Sequence, residues 1–323
     1  MEALVWLGGD RLVIEDLPSE IPNADETLFE VSLAGICGSD LHAYRGAGGK
    51  RVPPLVLGHE AVGRIKGDDR LFVVLPLQGC GHCARCLSGQ ENLCSDRLLL
   101  GLDRPGTFAQ EVVVPTSALV AVPEGLSADV AALTEPLATS LAAFKGLELG
   151  PDVNVAVIGC GSIGLLAIYA AALAGCHVVA ADPLKDRHAT ALELGADSVV
   201  SSASSFAPGS ADIVVDAVGY EATWSAGLTT VRAGGDVVVV GLGQFTGNVE
   251  IGDLVRRGVS FRGSYAYTRK DFEEALAMLA KAPPSVGWLD RLPLSEGAAA
   301  FASLAGQTTN AVKILLQPAG VTD

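Results

Sequence analysis

Cys80, Cys83, Cys86 and Cys94 lie in one stretch of the chain, with two residues between each of the first three and seven before the fourth. Gaps of two residues let neighbouring thiolates turn toward one point, and the longer excursion brings the fourth sulfur back to close a tetrahedron. Four sulfurs leave no vacant position, which marks a structural zinc; a catalytic zinc keeps one place open. A second donor set lies outside the cluster, in Cys37 and the run Gly58-His59-Glu60. One thiolate, one imidazole and a carboxylate suit such an open zinc. A third feature is Gly159-Cys160-Gly161-Ser162-Ile163-Gly164, a G-x-G-x-x-G run. It follows a valine-rich segment, opens a helix-like one, and is followed by Asp182 at the end of the next apolar run. That context makes it a dinucleotide fingerprint, with pyrophosphate expected at the N–H groups of Gly161, Ser162 and Ile163. A carboxylate at 182 accepts from ribose hydroxyls and repels a 2′-phosphate, which favours NAD over NADP, although Lys185 and Arg187 stand close by.

These residues need elements to hold them. Residues 1 to about 120 contain short β-like runs broken by Gly and Pro, at 27–33, 71–75 and 108–114. This texture predicts a compact β-barrel-like domain whose loops carry both metal sets. Residues 128–149 are Ala/Leu-rich with helical period, and Ser127 is placed to cap them. Strands at 153–158, 177–182, 213–216 and 236–240 then alternate with helices at 163–174 and 187–194. Near-continuous Val/Ile strands in that rhythm predict an α/β, doubly wound parallel sheet. A helix at 270–281, a segment at 298–305 and a strand at 311–316 close the chain and are read as returning to the first domain. The expected domains are 1–138 with a zinc lobe at about 79–95, 139–263 for the dinucleotide, and 264–323 as the return segment.

Composition narrows the partners. The 323 residues are 49% apolar and 18% charged, which argues against disorder. Net charge is −15, from 22 basic and 37 acidic residues, and this excess repels nucleic-acid phosphates. No run approaches the roughly 20 apolar residues of a membrane helix, and the start lacks a basic, apolar leader. A cytoplasmic protein with no membrane or nucleic-acid partner is the expectation. Five of the seven cysteines fall in the two metal sets; Cys160 and Cys176 read as small buried fillers.

The run Cys37-Gly38-Ser39-Asp40-Leu41-His42, the Gly58-His59-Glu60 triplet, the four-cysteine spacing and the glycine motif share the order found in zinc-dependent medium-chain alcohol dehydrogenases. The chain resembles that family over nearly its whole length. It is most similar to the polyol (sorbitol-like) and threonine dehydrogenase branch, which shares Cys-Gly-Ser-Asp-x-His and the Glu135-Pro136-Leu137 segment. The resemblance implies a Rossmann domain plus a GroES-like β-barrel catalytic domain. It implies Cys37 and His59 as ligands of a catalytic zinc, with Glu60 or Glu135 as the third. Asp40 would brace His59, Ser39 and His42 would pass on the alcohol proton, and Tyr44 and Tyr267 would line the substrate pocket. Val218, Gly241 and Leu242 would join the glycine motif, Asp182 and Arg187 around NAD. The implied activity is hydride exchange between a secondary alcohol or polyol-type substrate and NAD, in a homodimer or homotetramer.

Two departures stand out. The stretch 63–71 is shorter than the family's, which predicts a trimmed hairpin. Ala266 occupies the place where polyol dehydrogenases resemble one another in carrying an arginine, so a different diol, a cyclitol, an amino alcohol of the threonine type or a simple secondary alcohol competes with sorbitol. Two other readings contend with a zinc dehydrogenase. A zinc-free reductase on the same scaffold would lack the ligand set, and a noncatalytic NAD-sensing zinc protein would have no use for Ser39, His42 and a carboxylate beside the ligands.

Overall fold

The computed structural model describes residues 1–46 and 49–320, so the last three residues of the expected return segment lie outside the described residues. The chain divides into two compact units: Met1–Glu135 together with the segment from Thr268, and Pro136–Tyr267.

In the first unit, the ten-residue strand Glu26–Gly35 is the hub of a seven-stranded sheet. Its first half pairs antiparallel with Glu111–Pro115, and its second half with Glu60–Ile65. At its end, Ala34 and Gly35 pair with Leu316 and Leu315 of Lys313–Gln317, the strand that comes from the far end of the chain. Residues 31–35 are all buried, which explains why the sequence there stops alternating: both faces are covered. Glu60–Ile65 turns back tightly into Phe72–Val74, with Val62 opposite Val73, forming a compact hairpin over the shortened segment. Beside this sheet lies a small one of Leu12–Asp16, Glu2–Trp6 and Leu55–Val56. Phe29, Leu57, Phe108, Phe301 and Leu316 are fully buried in the unit's core. Phe108 and Phe301 meet edge-on, with centroids 5.8 Å apart at 86°, a geometry worth about 1 kcal/mol beyond the buried area.

The second unit is a six-stranded sheet in the order Ser198–Val200, His177–Ala181, Asn154–Ile158, Ala211–Asp216, Val231–Val239 and Ser260–Gly263. Every pairing in it is parallel. Helix Ser162–Leu173 follows the first of these strands in the chain and is buried over residues 164–171. The carboxyl ends of the central strands share one edge, where ligands bind in this architecture.

The helix expected over 128–149 is two helices, Ala128–Ala131 and Thr134–Ala143. Ser127 does cap the first, accepting from the Val130 N–H. The break is local: Thr134 Oγ1 donates to the Ala131 carbonyl, and Pro136 lacks the N–H that a continuous helix would need. Gly146, at φ +79°, turns the chain soon after Ala143. Helices Glu221–Thr230 and Ile251–Arg257 lie in stretches that carry no clear helical period in the sequence.

Candidate metal centres and dinucleotide site

The four-thiol lobe is organised by backbone N–H groups aimed at sulfur. Cys83 caps the short helix Ala84–Leu87 and accepts from the Cys86 N–H at 3.5 Å. Cys80 Sγ accepts from the Cys83 N–H at 3.4 Å, and Cys94 Sγ from the Cys80 N–H at 3.5 Å. The four sulfurs lie within 4.8 Å of one another, with Cys80–Cys86 at 3.9 Å and Cys83–Cys94 at 3.7 Å. A regular tetrahedron with metal–sulfur bonds of about 2.3 Å has edges of about 3.8 Å, so the shell fits zinc. The N–H groups of His82 and Cys83 hold the Cys80 thiol down to about 6, whereas burial and then the neighbouring thiols push Cys86 up to about 12. Sulfurs this close resist ionising together, and a divalent cation removes that conflict.

The second donor set comes from two parts of the first unit. Cys37 caps helix Gly38–Tyr44, and His59 leads into the strand whose register sets Glu60 opposite Gly35. Donor atoms of Cys37, His59 and Glu60 lie within 4.8 Å of one another. His59 and Glu60 are buried and Cys37 is half-buried. Glu135, in the first turn of Thr134–Ala143, is half-buried and falls outside this three-residue group, although its charge reaches Lys313.

Asp40 is fully buried, and its Oδ2 accepts from the Cys37 N–H at 3.1 Å. Its Oδ1 faces His59 Nδ1 at 3.6 Å, and neither of these two atoms has a hydrogen-bond partner. A metal-bound imidazole turns its second nitrogen to such a carboxylate, so this orphaned pair fits an ion on the ring's other side. Burial opposes charge on His59, yet the Asp40 carboxylate and the Cys37 thiol outweigh it and hold the imidazole well above its ordinary value.

Ser39 and His42 share the Gly38–Tyr44 helix with Asp40, three residues apart and so on one face. Burial, and then the charges of Arg45 and Arg51, lower the His42 pKa. Tyr44 rests its ring against Phe301, with centroids 5.7 Å apart at 48°. Tyr267 ends the second unit and is buried, beside Ala266 at φ +48°.

Two charged residues at this set carry no motif. Lys313 is fully buried, pairs with Glu60 Oε2 and donates to the Ile36 carbonyl at 3.2 Å. Burial disfavours its charge, but the negative charges of Glu60, Cys37 and Glu135 raise its pKa overall. The only sequence signal is a single lysine inside an otherwise apolar closing strand. Arg51 lies against Ser39 and Asp40, and nothing near it in sequence announces that position.

In the second unit the glycine motif forms the turn between strand Asn154–Ile158 and helix Ser162–Leu173. Gly159 has φ +92°, and a Cβ on Gly164 would overlap the Gly159 carbonyl oxygen, so both positions require glycine. Gly161 caps the helix, and Ser162 and Ile163 form its first turn. Asp182, nearly fully buried, ties this turn to the next strand: Oδ2 accepts from the Cys160 N–H at 2.7 Å and Oδ1 from the Leu184 N–H at 2.9 Å. Arg187 Nη1 lies 3.3 Å from Oδ2. Burial and the Asp182 charge push the Cys160 thiol up to about 12, in keeping with an inert filler. Val218 packs over Gly159, and the Gly241 backbone lies over Val218. Leu242 follows with more than half its surface exposed. Asp216 holds this loop, accepting from the N–H groups of Val218 and Gly219 at 2.9 Å each.

Comparison with known proteins identifies the family. Residues 23–124 match the family model "Alcohol dehydrogenase GroES-like domain", and residues 162–281 match "Zinc-binding dehydrogenase". An alcohol dehydrogenase of Moraxella sp. (strain TAE123) is 32% identical, over 84% of this chain and 86% of its own length. An L-galactonate-5-dehydrogenase of Escherichia coli (strain K12) is 31% identical, over 87% of this chain and 88% of its own. Acetophenone reductase from Geotrichum candidum, solved in complex with NAD, superposes with a TM-score of 0.90 at 27% identity, covering 98% of this chain and 96% of that one. With a closed four-thiol shell, an open three-donor set and a glycine-rich dinucleotide turn on the expected elements, the chain belongs to the zinc-dependent medium-chain alcohol dehydrogenase family of oxidoreductases.

Proposed function

We propose that the chain interconverts a secondary alcohol or polyol-type substrate and its ketone with NAD. The observation that carries this reading is the open set of Cys37, His59 and Glu60 with Asp40 turned toward the imidazole. Zinc, held there by Cys37, His59 and Glu60 or Glu135, supplies the Lewis acidity that lets an alcohol ionise near neutral pH. NAD supplies the hydride acceptor.

The chain's own residues do the rest. Asp40 fixes the orientation of His59, and Lys313 pins Glu60 from the side of the sheet. Ser39 receives the substrate's hydroxyl proton and hands its own to His42, whose lowered pKa keeps it a free base at neutral pH. In the second unit, the N–H groups at Gly161, Ser162 and Ile163 take the pyrophosphate. Asp182 reads the adenosine ribose and disfavours a 2′-phosphate, with Arg187 at its flank. Val218, Gly241 and Leu242 border the same turn. Tyr44 and Tyr267 are the aromatic candidates for the substrate pocket.

A sugar-acid hydroxyl is within the substrate class, given the L-galactonate-5-dehydrogenase relative. Ala266, in place of the polyol branch's arginine, keeps the cyclitol and threonine-type amino-alcohol readings in contention. A homodimer or homotetramer is the proposed assembly. The test is an NAD-reduction screen over secondary alcohols, sugar alcohols, sugar acids, cyclitols and β-hydroxy amino acids, run with Cys37→Ser alongside. Turnover on one class, lost in the variant while NAD binding persists, is the expected result. Full activity in Cys37→Ser overturns the reading of a zinc held by Cys37, and no turnover on any class by the unmutated chain leaves a noncatalytic NAD-sensing zinc protein in its place.

A further inference from the structure

Arg51 sits in the interior of the first unit, with its side chain 7% exposed. Its Nε donates to the Gly101 carbonyl at 2.9 Å, and its Nη2 donates to Ser39 Oγ at 3.4 Å. The carboxylate it faces is Asp40, whose Oδ1 is 3.6 Å away. That same oxygen is 3.6 Å from His59 Nδ1, and the other Asp40 oxygen is committed to the Cys37 N–H. By contrast, Arg291 and Arg257 hold their aspartates at 2.6 Å. The Arg51 guanidinium is therefore buried without a tight counter-ion, and its charge is felt by the hydroxyl beside it.

The anchor is stiff. Gly101 has φ +69°, and a Cβ there would come within 2.8 Å of the Gly58 nitrogen, so its loop presses directly on the residue before His59. Arg51 is thus hung from the loop that packs against Gly58, the residue before His59.

A hydroxyl carries one proton and two lone pairs. A cationic donor on Ser39 Oγ occupies a lone pair and turns the O–H away from itself. We propose that Arg51 is a positioning residue that sets the direction of proton transfer through Ser39, keeping the O–H aimed at His42 and away from Asp40. The proposal rests on the reading of Ser39 and His42 as the proton route. The step balances: as the substrate's hydroxyl proton passes to Ser39 Oγ, the original Ser39 proton passes to His42, and no electrons change hands.

The experiment uses the full chain loaded with zinc, NAD, and 2-butanol as a minimal secondary-alcohol probe. Ser39→Ala, Arg51→Met, Arg51→Lys and the Ser39→Ala/Arg51→Met double variant are compared for kcat, zinc content, NAD Kd and solvent deuterium isotope effect. Arg51→Met is expected to lower kcat about 10- to 100-fold, within the usual range for acid–base contributions. Zinc content and NAD Kd stay constant and the isotope effect rises. Arg51→Lys restores most of the loss, and in the Ser39→Ala background Arg51→Met costs less than about twofold, as residues in one network couple. An Arg51→Met loss that persists in full in the Ser39→Ala background, or one that Arg51→Lys does not relieve, overturns the proposal. If Ser39→Ala itself leaves kcat intact, the proton-route reading fails, and the Arg51 proposal with it. Should Arg51→Met lose zinc, Arg51→Gln takes its place, alone and combined with Ser39→Ala: a kcat loss present with Ser39 and absent in Ser39→Ala supports the proposal, and no loss, or one present in both, overturns it.

Discussion

Lys313→Met tests the pair that fastens Glu60. Both side chains are essentially inaccessible, at 0% for Lys313 and 1% for Glu60. Methionine keeps most of the apolar stem but leaves a carboxylate in the interior without its cation. Breaking one side of a buried pair costs about 3–5 kcal/mol. With a guanidinium chloride slope of about 4 kcal/mol per molar, the unfolding midpoint of the first unit falls by about 1 M. The assay can be confined to that unit. Trp6 and Trp288, buried at 4% and 6%, belong to it, so a Trp224→Phe background leaves tryptophan fluorescence reporting on it alone. The companion Glu60→Gln/Lys313→Met variant recovers part of the loss, because the orphaned charge is gone. Since the lysine's folded pKa is raised, the pair's contribution is complete below the ordinary lysine range and fades only as pH rises through the raised value. A cycle at pH 7 therefore reads it in full. A midpoint shift under about 0.2 M, or single effects that add within about 0.5 kcal/mol, refutes the reasoning.

Three further outcomes are expected. Cys94→Ser removes one zinc per chain by elemental analysis and lowers the melting temperature, leaving the second ion in place; loss of both ions contradicts independent sites. Gly164→Ala weakens NADH binding by about tenfold or more in a fluorescence titration, because the new methyl displaces the Gly159 carbonyl from the phosphate turn. Arg45→Gln moves the acid limb of kcat/KM for alcohol oxidation to higher pH. Burial first, and then Arg45 and Arg51, depress the His42 pKa, and removing one cation raises it, so the free base is lost sooner on acidification. An unmoved limb argues that His42 is not the base.

Legibility in the sequence followed the range of the interaction. The four-thiol lobe and the phosphate turn are built within short segments, so cysteine spacing and the glycine motif announced them. The parallel sheet was readable from strands buried on both faces. The helix across 128–149 was not, because one threonine and one proline reset its hydrogen bonds without disturbing the apolar period. Lys313 reaches its acid across 253 residues, and Arg51 depends on a loop pressed against Gly58. Neither contact leaves a local pattern, so side chains that adjust the open donor set stay silent until the chain is folded.

The strand bearing Lys313 has a consequence for how the molecule is made. On a ribosome, the whole of Pro136–Tyr267 emerges before that strand does and can fold as a unit in the meantime. Until residues 313–317 slide in beside Glu26–Gly35, the nascent catalytic half lacks one strand and its acid lacks a cation. The glycine-rich turn is therefore complete in the emerging chain before the buried carboxylate of Glu60 gains its cation, so the two sites are finished in a fixed order during synthesis.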